Sequence, residues 1–129
     1  MEDRGLVDTS VWVTHFRAGD ATRADLLDRG LVLGHPWVVG ELALGQLRQR
    51  DVVLGLLAGL PQAAVATAVE VAAFIGTHRT YGLGIGYVDV QLLAATRLTG
   101  DALLWTGDRR LAAAAGRLAI AAFPAVDER

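Results

Sequence analysis

The stretch that decides the fold is GLVDTS, residues 5–10. Its first three residues are apolar and predict a short buried strand. The Asp-Thr-Ser cluster that follows predicts the start of a helix, because side-chain oxygens at a helix N-cap accept backbone N–H groups that have no partner within the helix. A strand that leads directly into a helix is the building unit of a parallel sheet, so this stretch indicates an α/β fold.

The remaining sequence continues the alternation of short apolar strands and longer helices. Strands are predicted at residues 31–33, 63–66, 103–106 and 119–123. Helices are predicted at residues 11–17, 21–29, 38–48, 52–60, 69–78, 88–98 and 110–116. This order indicates a three-layer α/β/α sandwich around a central, mainly parallel sheet. Because no repeat or linker divides the chain, we expect residues 1–129 to form a single domain.

The composition excludes several classes of protein. With 129 residues, 53% of them apolar, the chain is long enough to bury one core without a disulfide or a structural metal. The absence of cysteine excludes thiolate zinc sites and cysteine nucleophiles. All 12 basic side chains are arginine, and the absence of lysine excludes Walker-type phosphate loops, Schiff-base chemistry and kinase-type ATP binding. The net charge of −2 argues against nucleic-acid binding through a simple basic excess.

The apolar stretch at residues 52–76 is the nearest that the sequence comes to a membrane span. Pro61 would break a helix near its middle, and Glu70 would be costly within a bilayer. We therefore expect two buried elements that meet at a turn. The charged N-terminus carries no secretory signal, so the predicted location is the cytoplasm, with no membrane contact.

Four acidic residues lie in apolar or turn surroundings and are the candidate functional residues. Asp8 follows the first predicted strand, and Asp108 follows the strand at residues 103–106 by two positions. Because the carboxyl ends of parallel strands meet at one edge of a sheet, both acids lie where α/β proteins bind ligands. Glu41 and Asp89 lie on predicted helices, and Asp89 falls in a first turn.

Each of these acids also has an ordinary structural interpretation. Asp8 and Asp108 would be caps at strand ends. Asp89 would stabilise the first turn of its helix, and Glu41 would be a solvated side chain. One metal site accounts for all four acids at once, since carboxylate oxygens are the ligands that Mg²⁺ and Mn²⁺ prefer.

The order of these motifs resembles the PIN-domain ribonucleases, and most of all the VapC-type toxins of bacterial toxin–antitoxin pairs. The resemblance rests on Asp8-Thr-Ser after a strand, Glu41 on a helix, Asp89-Val-Gln-Leu-Leu-Ala-Ala-Thr, and Thr106-Gly-Asp after a strand. It extends from residue 6 to about residue 123. It implies a three-layer fold with a central parallel sheet and the activity of a Mg²⁺-dependent endoribonuclease.

The resemblance also implies a role for each acid, because Asp8, Glu41, Asp89 and Asp108 match the catalytic, metal-binding quartet of the family. Asp8 and Asp89 are expected to be the most direct ligands of Mg²⁺ (or Mn²⁺). Glu41 would complete the ligand shell or accept a proton from water. Asp108 would bind a second ion or its waters.

Two hydroxyl side chains and two macromolecular partners complete what the resemblance implies. Ser10 and Thr106 match the supporting hydroxyls of the family, which orient carboxylates or water. The implied substrate is RNA, cleaved by hydrolysis of its phosphodiester bonds. The implied protein partners are a second copy of the chain, in a homodimer, and a small cognate antitoxin whose C-terminal segment occupies the active-site groove.

Other families with acidic pockets match the sequence less well. Haloacid-dehalogenase-like phosphatases need a second Asp where this chain has Ser10, and both they and response-regulator receiver domains need a lysine. The glycine-rich loop at residues 82–86 lacks the last glycine of a dinucleotide-binding motif, since Tyr87 stands there. One alternative stays open, which is a PIN-like module without catalysis that binds RNA or another protein.

Two sets of side chains are candidates for contacts with partners. The candidates for binding phosphate are Arg48, Arg109 and Arg110. The candidates for an apolar interface are Trp12, Trp37, Leu44 and Leu47. Arginine forks match phosphate oxygens, but surface arginines are also commonly solvated. The apolar set belongs either to an interface or to the core of the chain itself.

Overall fold

The computed structural model describes residues 3–18 and 27–122. Within this part of the chain, the strands are β1 (Arg4–Val7), β2 (Val32–Leu33) and β3 (Ala102–Trp105). The helices are α1 (Thr9–Ala18), α2 (Pro36–Leu44), α3 (Arg50–Ala58), α4 (Ala68–His78), α5 (Tyr87–Thr99) and α6 (Arg109–Arg117). The sequence therefore runs from β1 directly into α1, as its opening stretch predicts.

The strands form a parallel sheet in the order β2-β1-β3, with β1 at the centre. β1 pairs with β3 over its whole length, from Arg4 opposite Ala102 to Val7 opposite Trp105. Its pairing with β2 covers two residues of each strand. Because the strands are parallel, their carboxyl ends meet at one edge of the sheet, and Asp8 lies at that edge directly after β1.

Helices cover both faces of this sheet. Neighbouring residues of a strand point to opposite faces, and both directions are buried here. Leu6 and Val7 of β1 are 0% and 3% exposed, and Leu104 and Trp105 of β3 are 2% and 4% exposed. Helix α5 packs on β3, and all of its residues from 90 to 96 are buried. The predicted α/β/α sandwich with a central parallel sheet is confirmed.

Two of the predicted helices need comment. The helix predicted over residues 38–48 ends at Leu44, because the backbone N–H of Gly45 turns back to the Leu42 carbonyl oxygen at 3.1 Å. Arg48 therefore lies beyond the helix that carries Glu41, and the predicted extension of that helix to residue 48 is wrong. The helix predicted over residues 21–29 lies mostly outside the described residues.

Two of the predicted strands do not form strands in the structure. Residues 63–66 form none, and the chain there makes a single bridge between Gln62 and Gly34. Alanine side chains offer little surface to pack against a neighbouring strand, which explains why this run does not extend the sheet. The strand predicted at residues 119–123 is reduced to one bridge between Ala121 and Leu104, and Phe123 lies outside the described residues.

The apolar stretch at residues 52–76 belongs to two helices, as expected. It holds most of α3 and α4, and Pro61 lies in the connection between them. Thr67 begins α4 with a capping box, in which its hydroxyl oxygen accepts the Glu70 N–H at 3.1 Å and the Glu70 carboxylate accepts the Thr67 N–H at 2.8 Å. Among the described residues, no helix is long and apolar enough to cross a membrane.

His35 lies at the start of α2 and is completely buried. Its Nδ1 atom accepts the backbone N–H of Trp37 at 3.1 Å, so the ring is neutral and carries its proton on Nε2. Burial lowers the pKa of His35 below its ordinary value of 6.5. A second proton would both charge a buried ring and remove the acceptor that begins the helix.

We expect the folded protein to lose stability through His35 as the pH falls below 6.5. The pKa is lower in the folded than in the unfolded chain, so the unfolded chain takes up the proton first, at a cost of at most about 1.4 kcal/mol per pH unit. Urea unfolding at about pH 7.5 and about pH 5.5 measures this loss. In His35→Asn, which caps the helix without titrating, the loss should shrink, whereas His78→Asn should keep it. An undiminished loss in His35→Asn would contradict the assignment.

Candidate active site

Asp8 lies at the carboxyl edge of the sheet, where β1 ends and α1 begins, and is only 5% exposed. Its Oδ1 atom accepts the backbone N–H of Ser10 at 2.8 Å, the Ser10 hydroxyl at 2.5 Å and the backbone N–H of Val11 at 3.4 Å. Its Oδ2 atom accepts the Thr106 hydroxyl at 2.5 Å. These contacts fix the carboxylate in one orientation.

Burial raises the pKa of Asp8 above its ordinary value of 3.8, although the hydrogen bonds from Ser10 and Thr106 act in the opposite direction. The ionised form therefore has less stabilisation than it would have in water. A buried carboxylate with a raised pKa, at the edge of a parallel sheet where ligands bind, is a candidate functional group.

Ser10 and Thr106 connect the ends of two neighbouring strands through Asp8. Beyond their contacts with this carboxylate, the Ser10 hydroxyl oxygen accepts the backbone N–H of Gly107 at 3.0 Å. The Thr106 hydroxyl oxygen accepts the backbone N–H of Asp108 at 3.0 Å. Both side chains that the sequence suggests as supporting hydroxyls thus contact Asp8 and also shape the turn after β3.

Asp89 and Asp108 each lie at the start of a helix. Asp108 is the N-cap of α6, and its Oδ1 atom accepts the backbone N–H of Leu111 at 2.9 Å. Asp89 lies in the first turn of α5, and its Oδ2 atom accepts the backbone N–H of Gly86 at 3.1 Å. The capping interpretations of the sequence are therefore correct for both side chains, and each leaves one carboxylate oxygen for another role.

The four candidate acids lie close enough together to repel one another. The pKa of Asp89 is raised above 3.8, first by burial and then by the negative charges of Asp108, Asp8 and Glu41. The hydrogen bond from Gly86 opposes this rise without cancelling it. Asp89 is half-buried, so these charges act across a partly water-excluded space. The structure thus brings the sequence-predicted acids to one edge of the sheet.

Glu41 reaches this edge from α2 and is exposed. Its Oε1 atom accepts the hydroxyl of Thr9 at 2.6 Å, which joins α2 to the start of α1. Thr9 is a site residue that the sequence analysis treats only as part of an N-cap cluster. Its place directly after Asp8 is the signal that could have identified it, since the first residues of a helix point their side chains at the same sheet edge.

The donor set suits a hard divalent cation. Within the part of the chain that the structure describes, Glu41, Asp89 and Asp108 each use one oxygen to accept a hydrogen bond and leave the other without one. Carboxylate oxygens with free lone pairs are the ligands of Mg²⁺ and Mn²⁺. Residues 3–18 and 27–122 nevertheless hold no group of three acidic or histidine side chains already converged on one ligand position.

The structure leaves some of the residues predicted to contact partners at the surface and buries others. Arg110 lies at the site edge, where its Nη1 atom approaches the Gly84 carbonyl oxygen at 3.5 Å. Trp12 is 4% exposed, so of the two alternatives for this side chain the structure favours the core over an interface. Trp37 and Leu44 are 39% and 90% exposed, and both remain available to a partner.

A parallel sheet flanked by helices, with acids gathered at its carboxyl edge around an oriented aspartate, defines the class to which this protein belongs. The sequence pattern of the PIN domain matches residues 5–117. This match covers most of the chain, and the chain therefore belongs to the PIN domain family.

Two curated relatives place the chain more narrowly within that family. Ribonuclease VapC32 of Mycobacterium tuberculosis strain H37Rv is 50% identical over 116 residues, which cover 90% of this chain and 94% of the relative. The protein of the same name from strain CDC 1551 gives the same identity and the same coverage. The resemblance to VapC-type PIN proteins that the sequence motifs suggest is thus confirmed.

Proposed function

We propose that the chain is a Mg²⁺-dependent endoribonuclease that acts as the toxin of a toxin–antitoxin pair. The observation that carries the proposal is the gathering of four carboxylates at one edge of the sheet, where burial and then the charges of the other three acids raise the pKa of Asp89. A cluster of negative charges without full compensation destabilises the folded state. The presence of the cluster is explained if it binds a cation that serves phosphate chemistry. The PIN domain match and the relatives named as ribonucleases support the same activity.

The chain's own residues have distinct tasks in this proposal. Asp8 is held by Ser10 and Thr106 and offers a fixed carboxylate, so it and Asp89 would be the nearest ligands. Glu41 is exposed and free at one oxygen, which suits either a further ligand or the acceptor of a proton from the attacking water.

Asp108 would act at a second ion position or on its waters, because it lies at the far side of the Thr106 turn. When bound, Mg²⁺ lowers the pKa of a water and stabilises negative charge on the phosphate and on the leaving oxygen. Glu41 and Asp108 are exposed, and each has one carboxylate oxygen that accepts no hydrogen bond from the described residues and could bind a ligand. Mn²⁺ would suit the same oxygen ligands.

The proposed partners and location follow from the VapC resemblance and from exposed apolar side chains. Leu44, Val52 and Leu56 on α2 and α3 are 90%, 58% and 69% exposed. A surface of this kind commonly marks a protein interface. We infer a homodimer and a small antitoxin that covers the active-site groove, with both acting in the cytoplasm.

The test is RNA cleavage by the purified chain, alone and in complex with the product of the small open reading frame beside its gene. Cleavage is expected with Mg²⁺ or Mn²⁺, none in EDTA, and strong inhibition in the complex. Light scattering during chromatography would show the chain as a dimer. Mg²⁺ should also raise the Tm, by an amount that grows with its concentration, because a ligand of the folded state stabilises it.

The same experiment distinguishes the alternative function. A non-catalytic module would bind RNA or a protein but would not shorten the RNA when Mg²⁺ is added. Its Tm would not change in millimolar Mg²⁺. Asp8→Asn is the matched variant, since it preserves the shape of the side chain. Full Mg²⁺-dependent cleavage by Asp8→Asn would show that the nuclease is a contaminant or that the site lies elsewhere.

A further inference from the structure

Two aromatic rings lie half-exposed beside the carboxylates. Trp37 is 39% exposed and Tyr87 is 48% exposed, and their ring centroids lie 5.9 Å apart with the planes at 60°. Trp37 lies on α2 one turn before Glu41, and therefore on the same face of the helix. Tyr87 opens α5 two residues before Asp89. Trp37 and Tyr87, which we call the aromatic pair, thus join the two helices that carry these acids.

The geometry of the aromatic pair leaves ring faces open to a ligand. In an edge-to-face contact one ring presents its edge to the face of the other, so each ring keeps at least one face free of its partner. The exposed fractions show that these rings border solvent. The other two tryptophans, Trp12 and Trp105, are each 4% exposed and belong to the core. The aromatic pair is therefore a surface feature at the site rather than part of the hydrophobic core.

The buried side chain of Gln91 contacts the hydroxyl group of Tyr87. It lies one turn after Tyr87 on α5, is 3% exposed, and its Nε2 atom approaches the tyrosine hydroxyl at 3.5 Å. Its Oε1 atom is buried without a hydrogen-bond partner among the described residues. Leaving a buried acceptor unpaired costs free energy, so a leucine here would serve the core better. What Gln91 adds is an anchor at the hydroxyl end of the ring, which leaves the ring faces unobstructed.

Arg110 places a positive charge on the loop that leads into Tyr87. Arg110 is exposed and its guanidinium lies against the carbonyl of Gly84, in the loop that leads into Tyr87. Gly84 has φ +76, and a Cβ atom there would lie 2.6 Å from the Arg110 Nη1 atom. The Arg110 side chain would therefore have to move if residue 84 carried a Cβ atom. A guanidinium binds phosphate oxygens and an open aromatic face stacks a base, so Arg110 and the aromatic pair together offer the contacts that one nucleotide needs.

We propose that the aromatic pair forms a subsite that stacks one unpaired base of the RNA beside the bond that the carboxylates cleave. Every base has a face that stacks on an aromatic ring, and only unpaired bases are free to turn out and do so. Arg110 contacts the phosphate of the same nucleotide. This inference rests on the proposed ribonuclease activity, although base stacking is measurable without cleavage.

The test is equilibrium binding of a labelled single-stranded RNA oligonucleotide to proteins that carry Asp89→Asn, so that the RNA stays intact. Added Trp37→Leu or Tyr87→Leu is expected to weaken binding roughly 5- to 150-fold, the loss typical of one stacked base. Trp37→Phe and Tyr87→Phe keep a ring and should retain most of the affinity. Tyr81→Leu is the matched control, because Tyr81 is 64% exposed and lies outside the aromatic pair, and it should leave binding unchanged.

Changes in the RNA test the same contact without altering the fold. An abasic nucleotide at the stacked position should weaken binding to the chain with an intact aromatic pair but not to Trp37→Leu. The fully paired duplex should bind both proteins equally. Leucine variants that are folded, judged by their Tm, and bind single-stranded RNA as tightly as their parent would overturn the inference. Leucine variants that lose only their binding to the antitoxin, and keep their affinity for RNA, would also overturn the inference. Failure of the proposed activity gives a different result, in which the wild type binds RNA but does not cleave it with Mg²⁺.

Discussion

Asp89→Asn is expected to reduce RNA cleavage by on the order of a thousandfold or more and, in the same protein, to raise the Tm by a few degrees. The loss of cleavage follows from the removal of a negatively charged oxygen ligand at the site. The gain in stability follows from the repulsion that Asp89 experiences from Asp108, Asp8 and Glu41. Asparagine keeps an oxygen that accepts the Gly86 N–H, so the start of α5 is preserved.

The direction of the stability change follows from the pKa. Burial and the neighbouring acids raise the pKa of Asp89 above 3.8, so the folded protein holds the proton more tightly than the unfolded chain. The stability that this group contributes is present below 3.8 and is lost as the pH rises through its folded pKa. At neutral pH the loss is complete, and the uncharged asparagine avoids it.

Calorimetry in EDTA measures the Tm, and cleavage is followed separately in Mg²⁺. Asp101→Asn is the matched control, because Asp101 lies at the opposite edge of the sheet and forms an ion pair with Arg4 at 2.9 Å. That variant should cleave normally and be slightly less stable. A lower Tm in Asp89→Asn would show that repulsion does not dominate its environment, and retained cleavage would remove Asp89 from the catalytic residues.

Thr106→Val is expected to lower the free energy of unfolding by about 1–3 kcal/mol and cleavage by about 10- to 100-fold. Its hydroxyl donates to the Asp8 Oδ2 atom and accepts the Asp108 N–H, so valine leaves a buried carboxylate oxygen and a part-buried backbone N–H without this partner. Because the hydrogen bond from Thr106 lowers the pKa of Asp8, its loss should raise that pKa further. The acidic limb of the pH–rate profile should therefore move to higher pH.

Urea unfolding and the pH dependence of cleavage check this prediction. Thr106→Ser keeps the hydroxyl and should restore both stability and the position of the acidic limb. Thr96→Val is the matched control, since Thr96 is 1% exposed and donates only to the Leu92 carbonyl within its own helix. If Thr106→Val changes stability but leaves the pH profile in place, the hydroxyl supports only the fold and not the carboxylate.

Asp8 and Asp108 can be located from the sequence because their surroundings are local. A short apolar run followed by a capping cluster predicts a strand that leads into a helix, and both acids lie in such clusters within a few residues of a strand. Glu41 and Asp89 were placed correctly on helices, but their approach to Asp8 depends on how distant helices pack. For these two residues, the resemblance to the PIN domain family predicts that they lie near Asp8, and their spacing alone does not.

Other features depend on contacts that no local pattern records. Helix α2 ends at Leu44 because the Gly45 N–H turns back to a carbonyl of the helix, and the apolar run before it continues a helical pattern either way. Trp37 and Tyr87 are distant in sequence and meet only because the first turns of α2 and α5 pack side by side. Trp12 lies in the core and Trp37 at the surface, although each has an apolar neighbour on both sides in the sequence.

Three helices begin around the acids: α1 directly after Asp8, α5 with Asp89 in its first turn, and α6 directly after Asp108. The N-terminal end of a helix carries about half a positive charge, so three ends supply roughly one and a half charges of the sign that the carboxylates lack. The backbone itself is thus a partial counter-ion. This compensation is partial, so the acids still repel one another while their cost to the fold is reduced. For the function proposed above, we therefore expect a site that gains or loses its cation while the protein stays folded.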